Sequence, residues 1–202
     1  MRNGWLPAAL LMTAVGWGAN QFSSLLGAYQ RDLGLPGPVT TGLLALYVVG
    51  LLPGLLLGGP LADRRGRRPV VLGAVVLNAA ATTALMAGVL AAPWLAVGRL
   101  VTGLSTGAVL AAGSAWVREL SHPPFGTARE DGVGARRAGV MLSAGFSVSG
   151  LVSALVAQWG QGAAGFQAGA RIQVVAQRQL DDRDVRFRKH QLQRNEHAVV
   201  EA

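Results

Sequence analysis

Residues 41–92 read TGLLALYVVGLLPGLLLGGPLADRRGRRPVVLGAVVLNAAATTALMAGVLAA. Two runs without a single charged residue, 41–61 and 70–92, flank a tight cluster of Asp63, Arg64, Arg65, Arg67 and Arg68. Each run approaches the roughly 20 residues an α-helix needs to cross the hydrocarbon core of a bilayer. A soluble core helix has no reason to stay uncharged on every face for that length. The stretch therefore predicts two transmembrane helices joined by a short arginine-rich connection.

The same pattern extends in both directions. Further apolar runs cover residues 5–29, 94–117 and 138–159, so five spans are expected within residues 1–160. Trp5, Trp94, Trp116 and Trp159 fall near the expected ends, where amphipathic rings favour the headgroup layer. Arg2 followed by the first run also fits the opening of a signal peptide, but the run is too long for one and more spans follow. Composition agrees: 51% of the 202 residues are hydrophobic and 14% charged, against about 25% charged in ordinary soluble domains. The expected fold class is all-α, a polytopic transmembrane helix bundle.

A net charge of +8 could mark a nucleic-acid surface. The positions of the charges argue against that, because within residues 5–160 they gather in short connections between spans. Counting them sets the orientation. With the N-terminus in the cytoplasm, Arg2, the four arginines of residues 64–68, Arg118, Arg129, Arg136 and Arg137 lie inside, and among loop residues only Arg31 lies outside. Neither nucleic acid nor a cofactor is expected. There are no cysteines, His122, His190 and His197 lack ligand spacing, and no paired carboxylates sit in a span, so neither a metal site nor enzyme chemistry is read here.

Helices in lipid associate through small residues that let backbones approach. Gly50, Gly54 and Gly58 form such a ladder on the second span, and Gly103, Gly107, Ala111 and Ala115 form one on the fourth. Both spans are expected to pack closely.

The connection itself, Gly59-Pro60-Leu61-Ala62-Asp63-Arg64-Arg65-Gly66-Arg67-Arg68-Pro69-Val70-Val71-Leu72, resembles the signature loop of the major facilitator superfamily, G-x-L-a-D-r-x-G-r-r/k-x-x-l. The resemblance implies the N-terminal part of a twelve-helix transporter that works by alternating access on a small solute. It implies a conformational latch built from Gly59, Asp63, Arg64, Gly66, Arg67 and Arg68, linking this loop to a helix of the second half. Gly66 supplies the positive φ of a tight turn, and Asp63 suits the donors of a helix N-terminus. A topological loop alone would account for the arginines, though not for Asp63 and Gly66 at this spacing.

Arg99-Leu100-Val101-Thr102-Gly103-Leu104-Ser105-Thr106-Gly107 is similar to the family's R-x-x-x-G-x-x-x-G pattern. An ionisable residue inside a span is a functional candidate by default, and the resemblance ties Arg99 to the central pocket or to proton coupling. Snorkelling to the outer interface is the bland alternative. Asn20 on the first span and Ser143 and Ser147 on the fifth are further candidates for substrate contact. Against them stand an interhelical hydrogen bond for Asn20 and serine bonds to the helix's own backbone. The fifth span lacks the Gly-Pro element of the family's drug antiporters, and no proton acceptor is evident within a span.

Beyond Gly160 the composition changes. Residues 161–202 hold seven of the ten glutamines, seven basic and five acidic residues, and no run able to span. A disordered or loosely helical tail is expected. The abrupt change motivates the expectation that the chain is truncated after its fifth span, with a tail read from a shifted frame or an unrelated segment; a sixth span in another frame of the gene would support it. Such a chain needs a C-terminal half or another chain to transport, in the plasma or inner membrane. The alternative is a non-transporting membrane fragment or accessory subunit packed against other helices.

Overall fold

The structure, a computed structural model, describes residues 4–24, 27, 30, 33–87, 93–130 and 132–159. Arg2, Arg31, Asp32, residues 88–92, Asp131 and the tail from 161 to 202 lie outside the described residues. Among the described residues five helices follow one another: α1 (Trp5–Ser24), α2 (Gly37–Arg65), α3 (Arg67–Ala87), α4 (Pro93–Ser121) and α5 (Val133–Trp159). Four of them, α2, α3, α4 and the Val133–Leu155 part of α5, are long and apolar enough to cross a membrane by length and composition.

α2, α4 and α5 outrun the apolar segments that announce them. Hydrocarbon requires only about 20 residues, whereas the backbone ladder continues until something stops it. In α2 it passes through Pro53 and Pro60 to Arg65. There Gly66, at φ +90°, breaks it, and α3 restarts at Arg67. The arginine-rich connection is thus two helix ends around one glycine.

α4 is the hub, since α1, α2, α3 and α5 all pack on it. Two layers of apolar side chains fill the bundle. Near the Gly66 end, Leu11, Met12 and Val15 of α1 meet Val71 and Val75 of α3, Val109 and Val117 of α4 and Ala138 of α5. Near the other end, Phe22, Leu43, Leu85 and Leu95 form a smaller cluster.

α1 is the most enclosed of the five. From Ala8 to Phe22 no residue is exposed. A helix surrounded by protein can carry Thr13, Asn20 and Gln21 because neighbouring helices satisfy them, which lipid could not. α2 has the opposite character. Val48, Val49, Leu52, Leu56 and Leu57 are all more than half exposed, a surface suited to hydrocarbon.

Candidate functional site

The junction between α2 and α3 is held from one side. Arg67 donates from Nη1 to Glu119 Oε2 at 2.7 Å and to the Ala115 carbonyl at 3.2 Å, tying the start of α3 to the last turns of α4. Asp63, Arg64 and Arg65 are exposed, Arg68 is half-buried, and Gly59 is a half-buried member of α2. The side chain of Asp63 has no hydrogen bond or ion pair among the described residues. Within the motif, Arg67 clamps onto its own bundle, while Asp63, Arg64 and Arg65 are left exposed.

Arg99 sits deep in the bundle. It is 1% exposed, so its side chain does not reach an outer surface. The guanidinium lies 4.4 Å from the Phe22 ring centroid on α1 and 4.7 Å from that of Tyr47 on α2, and Nε donates to the Leu43 carbonyl at 3.4 Å. Two aromatic faces supply the negative potential that a buried cation needs. One α4 side chain therefore joins three helices.

Asn20 spans an interface as well. Its Nδ2 donates to the Phe146 carbonyl of α5 at 2.9 Å. Two hydroxyls repeat the arrangement: Thr13 Oγ1 donates to the Met141 carbonyl at 2.8 Å, and Ser149 Oγ to the Trp17 carbonyl at 2.6 Å. A similar polar contact links α3 to α4, where Asn78 Nδ2 donates to Ser105 Oγ at 2.9 Å with both residues fully buried. Ser143 and Ser147 lie on the exposed face of α5.

An open cavity of about 530 Å³ lies between α1, α2, α4 and α5. Its walls are apolar, with Met12, Leu55, Leu110 and Leu142 prominent, and its polar side chains are Ser114 and Arg118 of α4. Asn20, Arg99, Ser143 and Ser147 do not line it. Few polar groups on an apolar wall is the usual make-up of a small-molecule site. Ser114 and Arg118 escaped the sequence reading because nothing separates them there from any serine and arginine near a helix end. What distinguishes them is the gap between helices that they border.

The glycine ladders mark the closest helix contact. A Cβ on Gly50 or Gly54 would overlap the carbonyl of Leu100 or Leu104, and one on Gly58 would crowd the Cα of Ala108. From the other side, a Cβ on Gly103 or Gly107 would overlap the carbonyl of Tyr47 or Leu51. The two ladders face each other and set the spacing of α2 and α4, and hence where Leu55 meets the cavity.

Comparison with known proteins adds two findings. The family description Major Facilitator Superfamily matches residues 8–174, past Gly160 and into residues outside the described structure. The 3-(3-hydroxy-phenyl)propionate transporter of Escherichia coli (strain K12) is 43% identical over 82 residues, which are 40% of this chain and 20% of that protein. The matched part thus spans about a fifth of that relative's length.

Proposed function

The chain belongs to the major facilitator superfamily, and on that premise we propose that it supplies the N-terminal part of a transporter that moves a small organic carboxylate across a cell membrane by alternating access. The observation that carries the reading is the cavity bordered by α1, α2, α4 and α5. Its apolar wall suits a hydrocarbon or aromatic body. Arg118 presents a guanidinium whose planar fork matches a carboxylate, and Ser114 adds a hydroxyl. The related transporter's named substrate is itself an aryl propionate, of the same chemical class.

In this reading the arginine-rich junction is cytoplasmic, following the excess of arginines there. Arg67 and Glu119 hold α3 to α4, and the outward-facing Asp63 and Arg64 are left to engage a second half. Ser143 and Ser147, exposed on α5, are positioned to line the pocket once that half is present. Arg99 maintains the geometry of the three helices that converge on it and is the candidate coupling residue.

The test is uptake of labelled 3-phenylpropionate into proteoliposomes containing the full chain, alone and together with the C-terminal half of the related transporter. Uptake above protein-free vesicles in either arm, reduced at least tenfold by Arg118→Gln, supports the assignment. No uptake in both arms, with protein shown to be folded and inserted, rejects it and favours a non-transporting membrane subunit.

A further inference from the structure

A second opening in the bundle, of about 420 Å³, lies between α2, α3 and α4, on a different face from the cavity described above. α2 and α3 touch each other far less than either touches α4, so they diverge over α4 and leave a groove. Leu57 and Leu61 form one wall and Val70 and Leu77 the other. Gly73 lies along the α3 wall, and a Cβ there would meet nothing within 4 Å. Packing does not require that glycine, yet its missing side chain keeps the groove open.

One end of the groove is charged. Arg65, in the last turn of α2, lines it. It is exposed, and its guanidinium has no hydrogen bond or ion pair among the described residues. From Pro53 to Arg65 the α2 wall rises about 18 Å, close to the roughly 15 Å that one leaflet contributes to a hydrocarbon core about 30 Å thick, so an extended acyl chain matches its length.

We propose that this groove binds an anionic phospholipid, with one acyl chain lying between α2 and α3 and the phosphate on Arg65. An apolar slot that ends on an unpaired guanidinium at the level of a helix terminus has the polarity of a lipid read from tail to headgroup. Basic residues at that depth attract anionic headgroups, and basic pockets between transmembrane helices are known to hold them. The site stands whether or not the central cavity carries a solute.

The experiment uses the purified full chain in detergent, with fluorescent phosphatidylglycerol and phosphatidylcholine titrated separately, and helicity checked by circular dichroism. The wild-type chain is expected to prefer phosphatidylglycerol. Arg65→Gln should cut that preference about fivefold, the factor one arginine near a membrane surface is worth, while leaving phosphatidylcholine binding unchanged. Gly73→Leu places a side chain in open space and should weaken both lipids equally. An undiminished preference in Arg65→Gln, or undiminished binding in Gly73→Leu, overturns the proposal.

Discussion

The α2–α4 contact and the α1–α5 contact solve the same problem by different means. Both pairs cross closely, and neither can rely on a hydrophobic drive once lipid surrounds them. α2 and α4 meet through five glycines set against opposing backbone, so their attraction comes from dispersion over a long, flat approach. α1 and α5 meet through side chains of Thr13, Asn20 and Ser149 that donate to carbonyls of the partner helix, with Gly16 and Gly145 admitting the approach. A seam of glycines tolerates no added atom. A seam of hydrogen bonds can lose one member and keep the rest.

That contrast orders the expected effects. Gly54→Leu or Gly103→Leu should be the most damaging, because the new side chain collides with backbone that cannot rotate away. Overpacking of this kind costs about 1–3 kcal/mol or more, and the expected readout is loss of the monodisperse peak in size-exclusion chromatography. Equal yield and melting temperature in Gly54→Leu would mean that the ladder does not set the helix spacing.

Arg99 belongs to both regions, since it bonds α2 and stacks on Phe22 of α1. Arg99→Lys keeps the charge but not the planar stack, with an expected loss of about 1–2 kcal/mol, read as a lower midpoint in thermal unfolding. Ser149→Ala and Thr13→Val each remove one bond of the α1–α5 seam. Interhelical hydrogen bonds of this type average about 0.6 kcal/mol, so each single variant should remain folded with a small drop in melting temperature. A collapse in either would show that the seam behaves as a cooperative unit.

The Arg67–Glu119 clamp should be the weakest. Its side chains are 28% and 45% exposed, and exposed pairs contribute about 0.2–1 kcal/mol. A double-mutant cycle with Arg67→Gln and Glu119→Gln should give a coupling in that range that shrinks as salt is raised. A salt-independent coupling would contradict its exposed setting.

Some of this was readable in the chain because the physics involved is local. Glycines four residues apart share one helix face whatever the helix touches, so Gly50, Gly54 and Gly58 announced a close-packing surface before its partner was known. Gly66 between two helix-long apolar runs marked a turn by the same reasoning. Glu119 was not legible, because it lies 52 residues from Arg67 and becomes its partner only through the way α3 lies on α4. Asn20 illustrates the limit. An amide at membrane depth must find a partner, but whether a solute or the Phe146 carbonyl satisfies it depends on where α5 runs.

The order of helices, their membrane-spanning length and the charge asymmetry between their ends are properties of consecutive residues, and the chain alone determined them. The cavity bordered by Ser114 and Arg118, the groove ending at Arg65 and the burial of Arg99 between two rings were decided only by tertiary structure. Each is a space or contact between helices distant in the chain, and its shape depends on crossing geometry that no single segment encodes.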